Sequence, residues 1–264
     1  MSDAAPLRDA ATIVLCRDSG SNLETFMVVR HHQIDFASGA AVFPGGKLEA
    51  ADREPRILDR CCTTSSENID LLPFKAAAIR EAYEESGILI AREGDSAQWV
   101  SADRLATFEP SRVAMNAGKL EWAVFLEQEN LTLACDHLHH FAHWITPAMM
   151  PKRFDTHFFI ASAPEDHLGM HDGSEAVDSV WIHPQQLLDE EQEGKWTVIF
   201  PTRLNVMLLT QSPSYDNLRD ITNTRSVVTV EPWFEQEDED TFLCIPPEAG
   251  YPVSREKVTG QFPS

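Results

Sequence analysis

The stretch from Arg80 to Gly87, reading Arg-Glu-Ala-Tyr-Glu-Glu-Ser-Gly, constrains this chain more than any other. It ends a helix that the alanine run Ala76-Ala77-Ala78 favours from near Lys75 onward. Gly87 closes that helix, because glycine takes the left-handed C′ position without steric cost. At about 100° per residue, Glu81, Glu84 and Glu85 project from one face, and Ala76, Ile79 and Tyr83 fall on the other as a core-facing stripe. Ala77 and Ala78 lie on the acidic side and are small enough to admit a close neighbour. Three carboxylates this close repel one another unless a cation stands among them. Hard oxygen donors of this kind suit magnesium or manganese better than zinc. Taken alone, an acidic run is ordinarily a solvated helix face.

The chain has 264 residues, enough for a real core in one large domain or two small ones. Its formal net charge of -21 argues against a nucleic-acid polymer or an anionic membrane as partner, since both select basic surfaces. A small anionic substrate needs only local cations or a metal. No apolar run approaches bilayer length, and Met1 to Pro6 lacks a signal-peptide core. The five cysteines, Cys16, Cys61, Cys62, Cys135 and Cys244, are scattered and indicate neither a zinc site nor a disulfide framework. A reducing cytoplasm is the expected location.

In chain order, Ala10 to Cys16 reads as a buried strand and Thr25 to Arg30 as its hairpin partner. Ala40 to Leu48 reads as a short strand running into a Gly45-Gly46 turn, where the backbone can approach a ligand closely. The polar segment from Glu49 to Phe74 is a long loop with a short helix near Arg56 to Asp59. Helical patches follow at Ser101 to Leu105 and Leu120 to Glu127. Strands are expected at Leu138 to Trp144, Arg153 to Ala161 and Ser179 to Ile182, then helices from Pro184 and from Pro201 to Leu209. His137, His139, His140 and His143 have a spacing that could hold a metal. Alternation along a strand points several of them apart, so solvated or packed histidines are the better reading. The tail reads as two strands, Arg225 to Val230 and Thr241 to Ile245, joined by an acidic connector from Glu235 to Asp240. Mixed strands and helices without a splitting linker point to a sheet layered with helices.

With the glycine pair and the acidic helix in view, the chain resembles the Nudix hydrolases. Their box is a glycine, an acidic residue six positions on, and a helix carrying Arg-Glu-x-x-Glu-Glu-x-Gly and then an aliphatic residue. Gly46 is the box glycine, and Arg80, Glu81, Glu84, Glu85, Gly87 and Ile88 match the helical half. Asp52 stands where glutamate is usual, and the segment from Asp52 to Arg80 is longer than in the standard box. The long insertion resembles the branch that includes a mammalian peroxisomal coenzyme A diphosphatase. Phe43-Pro44-Gly45-Gly46, Ile145-Thr146-Pro147, the run Arg153 to Phe159, and Glu175 followed by Trp181 add to that likeness.

The resemblance implies the α/β (α+β) Nudix fold, a mixed β-sheet sandwiched between α-helices. It implies one domain over residues 1–264, with an insertion at about 53–74 and a C-terminal extension at about 213–264. It also implies metal-dependent hydrolysis of a diphosphate linkage, with coenzyme A or its acyl esters as leading substrates. Nucleotide sugars, ADP-ribose and dinucleotides are the alternative substrates, and a ligand-sensing domain without catalysis is the other class. Glu81, Glu85, Glu84 and the Gly46 carbonyl would hold Mg2+ or Mn2+. Glu84 is ligand or general base, Arg80 orients a box glutamate, and Glu175 is a second candidate base. Arg153 contacts substrate phosphate or pairs with a carboxylate such as Asp155, and Gly45 lies at the substrate. Trp181, Phe158 and Phe159 read as core. The expected partner is a small diphosphate, and a homodimer is the assembly common in the family.

Overall fold

The apolar run Ala10 to Cys16 becomes the middle of β1 (Leu7–Ser19), whose side chains enter two cores by turns. Ala11, Ile13 and Leu15 face one core, and Val14 and Cys16 the other. A strand buried on both faces loses the polar alternation of a half-exposed one. In this computed structural model, which describes residues 5–30, 40–66, 68–164, 167 and 176–258, β1 lies inside an eight-stranded mixed sheet.

Chain order continues with β2 (Asn22–Arg30), β3 (Ala41–Val42), β4 (Gly45–Lys47), α1 (Pro55–Leu58) and α2 (Leu72–Ser86). Next come β5 (Ala91–Glu93), α3 (Ala102–Thr107), α4 (Glu109–Asn116), α5 (Trp122–Gln128) and β6 (Leu131–Leu133). The second half holds β7 (His139–Ile145), β8 (Arg153–Ser162), β9 (Ala176–Ile182), α6 (Pro184–Gln192), α7 (Phe200–Leu209) and α8 (Tyr215–Thr224). It closes with β10 (Thr229–Val230), β11 (Trp233–Glu237), β12 (Asp240–Cys244) and β13 (Arg255–Lys257). The main sheet runs β10-β7-β8-β1-β2-β3, with β4 pairing β1 and β9 pairing β2. The pairs β1–β8 and β10–β7 are parallel, and the others in this sheet are antiparallel. Residues of α1, α2, α4 and α5 pack on the Ile13 face, and residues of α6, α7 and α8 on the Val14 face. This is the expected mixed sheet between helical layers.

Four expectations need correction. The acidic helix begins at Leu72, with Pro73 in its first turn, where a missing N–H costs nothing. It has no solvated side: Lys75, Ala77, Ala78, Arg80 and Glu85 are buried along with the core stripe. Gly45 and Gly46 sit in β4 opposite Thr12 and Ala11, not in a turn, and neither has a positive φ. The acidic connector is half strand: β11 runs through Glu235 to Glu237 and turns at Asp238, whose φ is 53°. Its mostly exposed side chains carry no burial signal, so the pairing with β12 alone defines it.

The insertion is pinned by the backbone. The amide of Cys62 donates to Leu133 O at 2.8 Å, and that of Leu133 to Arg60 O at 2.7 Å. All five cysteines are free thiols. Among the described residues no helix is long and apolar enough to cross a membrane.

Candidate functional site

The site is built around a buried guanidinium. Arg80 faces Asp52 fork to fork, with Nε 3.0 Å from Oδ1 and Nη2 3.0 Å from Oδ2. Nη2 also donates to Lys47 O at 3.0 Å. Nη1 stands 2.9 Å from Glu81 Oε1 and 3.0 Å from Glu84 Oε2. Burial by itself disfavours the cation, but Glu81, Asp52 and Glu84 overcome that cost and hold Arg80 more firmly protonated than a free arginine. Arg80 is thus the cation among the helix carboxylates, and five acceptors use its fixed fork of donors.

Short backbone approaches fix Glu81 further and place Glu85. A Cβ on Gly46 would lie 2.5 Å from the Glu81 carboxylate, so only glycine leaves that space open. A Cβ on Gly45 would lie 2.6 Å from Ala11 O, and its amide donates to Glu85 Oε2 at 3.0 Å. The end of α2 is fixed as the sequence predicts, with Gly87 at φ 74° and its amide donating to Tyr83 O. Arg112 of α4 and Asn116 add side-chain donors to Glu84 O, at 2.9 and 3.2 Å. Burial pushes the Glu84 carboxyl above its ordinary range, against the pull of Arg80.

The donor chemistry fits a hard divalent ion. Carboxylate oxygens of Glu81, Glu84 and Glu85 lie along one helix, and the place beside Gly46 is one a side chain would fill. The three glutamates do not by themselves bring three oxygens within 4.8 Å of one another: Glu81 and Glu84 meet at Arg80 Nη1, and Glu85 is held at the Gly45 amide.

The remaining predicted residues lie elsewhere. Arg153 is buried at the start of β8, opposite Leu7, whereas Gly46 is opposite Ala11. Its guanidinium donates to Thr146 O at 3.0 Å and to Glu231 Oε1 at 2.8 Å. Its carboxylate is therefore Glu231, not Asp155, and the structure does not bring Arg153 to the α2 glutamates. Glu175 falls outside the described residues. Phe158 and Phe159 are buried, and Trp181 packs edge-on to Phe26 at 5.2 Å. The four histidines separate only in part, because the register shift between His140 and Ala142 breaks the alternation along β7. His137 meets Ser162, His139 meets Asn223, and His140 and His143 turn toward His157. Sequence reasoning missed Asp52 as the partner of Arg80, and Arg112 and Asn116 as supports of the helix end. For Asp52 the signal was its place six residues after Gly46; for the other two there was none.

This fold, with a glycine strand under a glutamate helix, is that of a Nudix hydrolase. Residues 64–207 match the family described as the NUDT19 Nudix domain, more than half of the chain, and the chain belongs to that family. A Caenorhabditis elegans protein called putative nudix hydrolase 7 is 26% identical over 226 residues, covering 85% of this chain and 68% of the relative. The human acyl-coenzyme A diphosphatase NUDT19 is 25% identical over 242 residues, covering 75% of this chain and 63% of the relative. The chain thus spans about two thirds of the length of these curated relatives. Among solved structures, a NUDIX hydrolase from Alicyclobacillus acidocaldarius superposes with a TM-score of 0.68 at 25% identity, covering 85% of this chain and 99% of that one.

Proposed function

We propose that this chain hydrolyses the diphosphate linkage of a nucleoside diphosphate derivative, with coenzyme A or acyl-coenzyme A as substrate class and Mg2+ or Mn2+ as cofactor. The observation that carries the chemistry is Arg80 gathering Glu81, Glu84 and Asp52 beside the side-chain-free strand at Gly46. The substrate class rests on the family and on the relative that bears the acyl-coenzyme A diphosphatase name. The same reading takes residues 1–264 as one Nudix domain. In support, α8, β10 and Tyr251 pack into the core that α6 and α7 share with the sheet.

In this account Glu81 and Glu85, one helical turn apart, hold the ion, with the carbonyl of Gly46 beside them. When bound, it neutralises diphosphate charge and lowers the pKa of a water. Glu84 takes the proton of the attacking water as one anhydride P–O bond breaks, releasing two phosphate-terminated products. Its burial favours proton uptake, as a general base requires. Arg80 keeps Glu84 in place, and Arg112 and Asn116 keep the end of α2 in place.

The experiment is a panel of coenzyme A, acetyl-coenzyme A, NADH, ADP-ribose and UDP-glucose, each with and without Mg2+. Faster cleavage of the coenzyme A compounds, only with the metal, supports the reading. Preference for another member overturns the substrate class. Tight binding without cleavage of any member overturns the activity.

A further inference from the structure

A second group of metal-type ligands lies on the sheet itself, outside the Nudix box. Asp155 and His157 are two apart on β8, so their side chains leave the same face. His143 on β7 is directly opposite His157, and the two imidazoles stack at 4.0 Å and 9°. Nε2 of His143 is 2.5 Å from Asp155 Oδ1, and Nε2 of His157 is 3.9 Å from the same oxygen. Three ligand atoms fall within 4.8 Å of one another, and among the described residues no other group of histidine, cysteine and carboxylate side chains does so.

The far side of each ring is tied back. Nδ1 of His143 is 2.8 Å from Thr229 Oγ1 on β10, and Nδ1 of His157 is 3.0 Å from His140 Nε2. In the tautomer where Nδ1 of His157 donates to Nε2 of His140, Nε2 of His157 carries the lone pair and faces the Asp155 carboxylate, an arrangement that a cation between them relieves. Outer partners that fix the tautomer in this way are what metal-ligating histidines ordinarily have.

We propose that His143, His157 and Asp155 form a zinc site, two imidazole nitrogens and one carboxylate oxygen with a fourth position for water. Nitrogen-rich sets of this kind select zinc-like ions over magnesium. The site shares a row of the sheet with the Nudix box, since Ala11 of β1 is opposite both Gly46 and His157. Two strand spacings, about 10 Å, separate these backbones, too far for one ion to serve both. Bound zinc would clamp β7 to β8 beneath Phe74, whose ring sits 4.4 Å from that of His157 at the start of α2.

The test is Zn2+ titration of the full chain, stripped by chelator and then held in excess Mg2+. We expect one Zn2+ per chain in the wild type and in Glu85→Gln. His157→Gln and His143→Gln should each lose that binding, and Thr229→Val, at an exposed position, should weaken it about tenfold through the outer bond. Melting in chelator checks that the variants fold. Undetectable Zn2+ binding by the wild type at micromolar protein overturns the proposal. So does binding unchanged in His157→Gln and Thr229→Val, or lost in Glu85→Gln alone.

Discussion

Asp52 and Arg80 lie 28 residues apart in the chain and meet as a buried, two-bonded ion pair under the acidic helix. Removing one partner of such a pair leaves the other charge uncompensated. Asp52→Ala should therefore destabilise the protein by about 3 kcal/mol or more, read by urea unfolding. An unchanged transition would mean that Lys47 O, Glu81 and Glu84 suffice to hold the guanidinium.

Arg80→Lys keeps the charge but not the fork, so it separates electrostatics from positioning. With Glu84 loosened, kcat should fall about 100-fold, the scale of a misplacement near 1 Å. Steady-state turnover of the best panel substrate checks this, and a kcat within twofold of wild type would leave Arg80 a purely structural role.

The two adjacent glycines predict opposite phenotypes. Gly45→Ala drives a Cβ into backbone at Ala11 O and should cost about 1–3 kcal/mol of stability, as overpacking does. Gly46→Ala meets only the end of the Glu81 side chain, which can move aside. Melting should therefore stay near wild type while turnover drops. Calorimetry and kinetics on the pair would show whether the two effects separate.

Glu84 should leave a pH signature in the metal-free protein. Its folded carboxyl binds protons more tightly than the unfolded one, whose ordinary value is 4.5. Between 4.5 and the raised value the folded state holds more protons, so stability falls as pH rises. Glu84→Gln lacks this loss. Stability measured in chelator should converge for the two proteins at acid pH and favour the variant at neutral pH. A gap of the opposite sign at neutral pH would mean that the bond to Arg80 outweighs burial.

The helical half of the site was legible because a fixed spacing on a 3.6-residue period carries its own geometry. Glu81, Glu84, Glu85 and the Gly87 cap could all be placed from it. What could not be read depended on contacts across the chain. Arg80 finds Asp52 over the insertion, and Arg153 finds Glu231 78 residues later. His143 meets His157 through the register of β7 on β8, which shifts between His140 and Ala142. The burial of α2 on its acidic side also escaped the sequence, because alanines beside glutamates carry no sign of what packs on them. The helix α8 was missed for a related reason. Between Tyr215 and Thr224 it is mostly polar and buries only Tyr215, Leu218 and Thr222.

The glutamates that α2 gathers beside Gly45 and Gly46 carry metal-dependent hydrolysis in this proposal, and Glu85 tests it most directly. Its Oε2 accepts from Gly45 N and its side chain keeps its shape on conversion to glutamine. The measurement is kcat of Glu85→Gln at saturating Mg2+ on the best panel substrate, beside its melting temperature. A fall of about 100-fold or more, which is about 2.7 kcal/mol of transition-state stabilisation, with melting unchanged, is the predicted result. Turnover at the wild-type rate would contradict the account.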